Sequence, residues 1–163
     1  MRGLAIILGL LATCVLAVGS AQAKPASGDR KIVAAVQDIG FEFPTAACEG
    51  GTITFSLVAL DGRTIGAGAS CIHAGVDCSF TAGCRGTALV DFTLTFARGT
   101  LNAPVEIDEV WLTDTTVAQR AKGKISSGTE AFAGAKGSIK CDGGIEFAET
   151  GPIPDLVCVV RVR

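Results

Sequence analysis

The sequence predicts an all-β fold, an antiparallel up-and-down barrel of about eight strands that is disulfide-bonded. Short segments alternate between apolar and polar side chains, glycine-rich turns separate them, and no stretch has the apolar spacing of an amphipathic helix. Residues 87–96 are the clearest example, because Val90, Phe92 and Leu94 share one face while Asp91 lies on the other. Closing such strands into a barrel removes the exposed edges that a flat sheet would leave. A two-layer sandwich is the alternative fold.

The first 23 residues have the pattern of a signal peptide. Arg2 forms a short positive region, residues 4–18 are apolar, and Ala21-Gln22-Ala23 is a small-residue cleavage signal. We therefore expect a secreted or periplasmic protein without a transmembrane segment in the mature chain. The alternative is a lipoprotein anchored at Cys14, since Leu11-Ala12-Thr13-Cys14 approximates a lipobox.

The remaining chain has the size and charge of one ordinary domain. We expect a signal peptide over residues 1–23, a flexible segment over 24–30 and a single β-barrel domain over 31–163. Removal of the signal peptide leaves 140 residues, which suffice for one core. These residues hold 13 basic and 16 acidic side chains with no basic cluster, so nucleic acid is not an expected partner.

The predicted strands follow one another along the chain, with turns between them. Ile53, Phe55 and Leu57 alternate with polar residues, and the Asp61-Gly62 turn joins this strand to the next as a hairpin. A turn at Ala97-Arg98-Gly99 follows the strand that contains Phe96. The predicted strands are 52–57, 63–73, 87–96, 105–112, 118–126, 135–141, 145–148 and 155–162.

A glycine-rich segment, Gly128 to Gly137, interrupts this pattern with three glycines and three alanines around Phe132. Glycine allows backbone angles closed to other residues and lets a neighbouring chain approach closely. We therefore expect a tight corner here, with Phe132 as its apolar anchor.

The exported chain keeps an even number of cysteines, which favours disulfides in an oxidising compartment. Cys141 and Cys158 each fall on the apolar phase of a strand, so we expect them to pair. One further bridge is expected to close the loop between Cys71 and Cys84, and the partners of the third stay open. The six cysteines are Cys48, Cys71, Cys78, Cys84, Cys141 and Cys158.

A zinc site around the single histidine is the alternative role for these cysteines. His73 lies two residues from Cys71, but structural zinc sites usually have paired ligands two to four residues apart on both sides. Paired cysteines in an exported chain are better explained as disulfides. We expect no metal and no other cofactor.

Three of these motifs together resemble the barrel family of allene oxide cyclases and dirigent proteins. The hairpin residues 60–66 followed by Cys71, the turn at residues 96–101 and the corner from Gly128 to Gly137 are similar to successive family motifs. The chain departs from the family at Glu130, where the family usually has a glycine, and at Ser127, which replaces another.

The resemblance implies a barrel that encloses a hydrophobic ligand, and in the family this cavity steers a cyclisation or a radical coupling. It also implies a homo-oligomer, since family members often form trimers or dimers. Dirigent proteins use tyrosines, and this chain has no Tyr, so that part of the family equipment is not carried over.

Glu109 is the candidate catalytic residue. It shares the phase of Val105, Ile107 and Trp111, so plain alternation points it into the barrel, where an unpaired carboxylate has a raised pKa and can act as an acid or base. The alternative is a bulge or strand end that turns it outward. Asp91 lies on the polar phase and is expected at the surface.

Three aromatic residues are candidates for ligand binding. Phe92, Phe96 and Trp111 would form a flat apolar wall if they line a cavity, and Trp111 otherwise belongs to the core. We therefore expect a non-catalytic binding or structural module for a small hydrophobic ligand or partner. The alternative is a cyclase, isomerase or dirigent-like enzyme that acts on a hydrophobic molecule inside the barrel.

Overall fold

The computed structural model describes residues 28–74 and 80–163. The predicted signal peptide, Cys14 and Cys78 lie outside the described residues. The described elements are β1 (Arg30–Glu42), β2 (Thr52–Val58), β3 (Thr64–Ala74), β4 (Arg85–Phe96), β5 (Gly99–Trp111), β6 (Thr116–Ile125), the short β7 (Ser127–Gly128), a 3-10 helix η1 (Glu130–Phe132), β8 (Gly137–Ala148) and β9 (Gly151–Val162). No helix within these ranges is long and apolar enough to cross a bilayer.

The eight long strands form a closed antiparallel barrel, as the sequence predicts. Each pairs with its neighbours along the chain in the order β1, β2, β3, β4, β5, β6, β8, β9, and β1 then pairs with β9 to close the ring. The predicted up-and-down barrel is therefore confirmed, and the sandwich alternative is wrong. We call the end with residues 59–63, 97–98 and 126–136 the lower end, and the opposite end the upper end.

The strands β1 and β8 differ most from the prediction, and β5 and β9 begin earlier in the chain than predicted. The first strand, β1, was not predicted, because a bulge between Gln37 and Gly40 interrupts its alternation. Asp38 adopts a positive φ of 52° at this bulge and stays exposed, while Ile39 turns toward the interior. The predicted strands 135–141 and 145–148 form the single strand β8, since Gly143 continues the ladder at a φ of 146°, which favours glycine.

The glycine-rich corner closes the lower end of the barrel, and Phe132 anchors it as predicted. Phe132 is buried, and its ring packs against Phe96 with centroids 5.7 Å apart. The corner also crosses the β4–β5 turn, where the Thr129 amide donates to the Thr100 carbonyl at 3.0 Å. A side chain at Gly128 would collide with the Phe132 backbone, so this close packing requires glycine.

The lower half of the barrel interior is densely packed. Large aliphatic side chains from five strands meet there with almost no accessible surface, and dense packing of this kind stabilises a fold through burial and dispersion. These side chains are Leu57, Leu94, Leu101, Ile139 and Val160.

Two disulfides join described residues. Cys141 and Cys158 face each other across β8 and β9 with a Cα separation of 4.0 Å, so the predicted bridge is confirmed. Cys71 pairs with Cys48. The expectation that Cys71 would pair across its loop with Cys84 is therefore wrong.

The Cys48–Cys71 bridge follows from local hydrogen bonds that no periodicity shows. The Gly50 amide donates to the Ile72 carbonyl at 2.9 Å, and the Ile72 amide donates to the Gly51 carbonyl at 3.0 Å. These bonds hold the segment before β2 against the end of β3, which brings Cys48 beside Cys71. Cys84 is also disulfide-bonded.

Candidate functional site

A cavity of about 70 Å³ lies in the upper half of the barrel interior. Its wall is mainly apolar, with Phe55, Phe92 and Val90 among the lining side chains. The polar side chains in the wall are Ser70, Glu109 and Gln119. An apolar pocket with a few polar groups is the usual composition of a small-ligand site.

The cavity exists because several inward positions carry small side chains. An eight-stranded barrel is only just wide enough for its interior to be filled by side chains, so small residues leave space. Ser70 on β3, Ala88 on β4 and Ala121 on β6 line the cavity. Gly86, which lies opposite Glu109 in the β4–β5 register, adds no side chain at the adjoining position of β4.

Glu109 faces this cavity from β5. The β5 strand pairs with β4 and β6 without a bulge, so alternation continues inward through Ile107 and Glu109 to Trp111. Gln119 lies directly opposite on β6, and its Nε2 donates a hydrogen bond to Glu109 Oε1 at 2.7 Å. Burial raises the pKa of the half-buried Glu109 carboxyl above its ordinary value, and the Gln119 hydrogen bond opposes this rise.

Ser70 contributes a second polar atom with unused hydrogen-bonding capacity. The residue is 3 % exposed, and its Oγ has no hydrogen-bond partner among the described residues. A buried hydroxyl without a partner costs free energy, and native structures contain few of them. A ligand or a water molecule in the cavity would satisfy this oxygen.

The three aromatic candidates occupy different levels of the barrel. Phe92 lines the cavity and packs against Phe55 with ring centroids 5.9 Å apart. Phe96 packs at the lower end against Phe132. Trp111 lies at the upper end, where its ring stacks on Phe147 at 5.7 Å and contacts Phe80 at 4.7 Å.

The structure thus brings Glu109 and Phe92 to one cavity, and separates Phe96 and Trp111 from it. Sequence reasoning missed Ser70 and Gln119 as cavity residues. Gln119 could be found only through the strand register, because nothing in the sequence near it specifies Glu109 as its neighbour. Ser70 lies in a small-residue stretch of β3 whose inward phase consists of glycines before it and a single large apolar side chain, Ile72, after it.

Other charged groups lie on the outer surface. His73 Nε2 is 2.8 Å from Asp91 Oδ2, and both side chains are largely exposed. Arg120 pairs with Asp142 through a 2.8 Å contact. In the part of the chain that the structure describes, no group of three or more His, Cys, Asp or Glu side chains is arranged to hold a metal ion.

The cavity therefore combines a carboxylate, an amide and a hydroxyl with an apolar wall. This arrangement can orient a small molecule and exchange one proton with it. Comparison of the chain with protein-family models, curated proteins and solved structures finds no match, so the geometry of the cavity carries the functional argument.

Proposed function

We propose that this protein is a non-catalytic binding module, exported from the cell, that holds a small hydrophobic ligand in the upper half of its barrel. The observation that carries the proposal is the cavity itself, which has an apolar wall and three polar side chains. Unsatisfied Ser70 Oγ supports it, since a ligand would supply the missing partner. The two disulfides fit an oxidising compartment outside the cytoplasm.

The size of the cavity limits the ligand. Sites that enclose drug-sized molecules measure about 300–1,000 Å³, whereas this cavity measures about 70 Å³. The ligand is therefore a molecule of few heavy atoms, or one apolar end of a larger molecule. Resemblance to the allene oxide cyclase and dirigent barrels, which enclose hydrophobic ligands, agrees with an interior site.

A cyclase or isomerase is the second candidate, and the position of Glu109 favours it. Its carboxyl has a raised pKa and lines the cavity, as an acid or base in a barrel enzyme would. The size of the cavity argues against an enzyme of this kind. A cyclisation needs the whole substrate molecule inside the barrel, and a cavity of about 70 Å³ is too small to hold it. Glu109 is also the only ionisable side chain among the described residues that line the cavity.

A pair of matched variants tests the binding proposal. Ala121→Val fills the cavity from β6, and Ala118→Val adds the same methyl groups on the outer face of that strand. We expect n-butanol to shift the amide NMR signals of cavity-lining residues in the wild-type protein and in Ala118→Val. Affinity for n-butanol should fall at least tenfold in Ala121→Val. Binding that is unchanged by Ala121→Val would contradict a site inside the barrel.

A further inference from the structure

Glu109 differs from the neighbouring carboxylates of its strand because no cationic side chain of the described residues pairs with it. Glu106 and Asp108, on the outer face of β5, share the ammonium group of Lys122 at 2.8 and 3.6 Å. Glu109 has the Gln119 amide as its partner among the described residues, and only its Oε1 accepts that bond. The carboxylates on the outer face of the strand thus have a counter-charge, whereas the described residues supply none to the carboxylate in the cavity.

This arrangement leaves a negative charge in the cavity that no cation among the described residues compensates. A carboxylate removed from water loses hydration free energy, and one hydrogen bond from a neutral amide replaces only part of it. The raised pKa of Glu109 agrees with this imbalance. A ligand with a positive charge would supply the missing partner, and a charge-assisted hydrogen bond is roughly twice as strong as a neutral one.

The rest of the wall suits the other parts of such a ligand. The rings of Phe55 and Phe92 line the cavity and attract cations through their faces, while the aliphatic side chains accept a hydrocarbon body. Ser70 Oγ, on β3, is a further acceptor that has no partner within the described part of the chain. No lysine, arginine or histidine among the described residues lines the cavity, so none of these lining side chains repels a cation through a positive charge.

We propose that the ligand is a small apolar amine, bound as its ammonium ion with the nitrogen at Glu109. This inference rests on the proposed function, because it names the chemistry of a ligand for the same cavity. No covalent bond is formed or broken in the complex. A neutral alcohol and a carboxylate of the same length are the other ligand classes for a cavity of this size, and each is an outcome of the test.

Three probes with the same four-carbon skeleton separate these classes: n-butylamine, n-butanol and butanoate. Each is titrated into the purified protein at neutral pH, and binding is followed by the amide NMR signals of cavity-lining residues. We expect the amine to bind at least tenfold more tightly than the alcohol, which corresponds to the added strength of a charge-assisted bond. Butanoate should bind most weakly because its charge repels Glu109.

Matched variants then assign the preference to Glu109. Glu109→Gln should make the amine and the alcohol bind alike, while Glu106→Gln, on the outer face of the same strand, should preserve the preference. Equal or tighter binding of n-butanol by the wild-type protein would overturn the amine inference and leave the binding module intact. Absence of binding by all three probes would overturn both. The wild-type titrations decide the question even if a variant fails to fold.

Discussion

The two halves of the barrel interior are built from the same alternating strands but are packed differently. In the lower half, Leu101 from β5 is completely inaccessible, and the glycine-rich corner covers the end with Phe132. In the upper half, Ile107 and Glu109 of the same strand line a cavity. The difference arises at the facing positions, which carry large aliphatic side chains below and Ser70, Ala88 and Ala121 above.

This comparison separates the residues that stabilise the fold from those available for function. In the lower half, side chains are densely packed and the corner covers the end of the barrel. The upper half contains a void, the Ser70 hydroxyl, which has no partner among the described residues, and the half-buried Glu109 carboxylate. Each of these features lowers stability, and such departures from good packing are expected at functional sites. Three predictions test this division, from the largest expected effect to the smallest.

Truncation of a large interior side chain should lower the free energy of unfolding more in the lower half than in the upper half. We expect Leu101→Ala to lower the free energy of unfolding by about 3–5 kcal/mol, because the dense lower half cannot collapse into the new space. Ile107→Ala should cost about 2 kcal/mol, since its side chain already borders a cavity. Denaturant unfolding measures both values. Leu89→Ala, at a position that is 52 % exposed, is the control. Equal losses of unfolding free energy in Leu101→Ala and Ile107→Ala would contradict the difference in packing between the two halves.

Neutralisation of Glu109 should stabilise the protein in a pH-dependent manner. Its folded-state pKa is raised, so the folded protein holds the proton more tightly than the unfolded chain, and stability is lost as pH rises through that pKa. Glu109→Gln removes this loss and should raise the free energy of unfolding modestly at neutral pH, by less than the truncations lower it. Below the ordinary pKa of glutamate, the gain should disappear.

Denaturant unfolding over a pH series measures this difference between wild-type protein and Glu109→Gln. Glu106→Gln is the control, because its carboxylate lies on the outer face with Lys122. A gain that does not change with pH would show that the Glu109 charge is not the cause. A loss at neutral pH would mean that the carboxylate is well solvated in the upper half.

At the lower end of the barrel, the backbone of Glu130 is strained. This residue has a φ of 50°, in the left-handed region that disfavours side chains other than those of a few polar residues. Glu130→Gly should therefore raise the free energy of unfolding by about 0.5–1 kcal/mol.

Glu130→Ala is the matched control for this variant, since it removes the same carboxylate but keeps the Cβ atom that causes the strain. It should give no such gain in denaturant unfolding. Equal stabilisation by the two variants would assign the effect to the charge of Glu130 and not to its backbone.

The elements with regular alternation were predictable, and the exceptions have local causes. The strand through Val90 and Phe92, the hairpin at Asp61-Gly62 and the Cys141–Cys158 bridge follow from residues close in sequence or from shared phase. The β1 strand was missed because the bulge at Asp38 shifts its inward phase by one residue. The pairing of Cys48 with Cys71 was not predicted, because it depends on hydrogen bonds that Gly50 and Gly51 form with the end of β3.

By itself, the sequence determined the strand type, the antiparallel order, the glycine corner and the inward direction of Glu109, because each depends on side-chain alternation or on backbone freedom within a few residues. Only the tertiary structure decided that Gln119 lies opposite Glu109, that Ser70 Oγ has no partner among the described residues, and that small side chains from separate strands leave a cavity. The physical reason is that register and interior volume arise from all the strands together once the barrel closes.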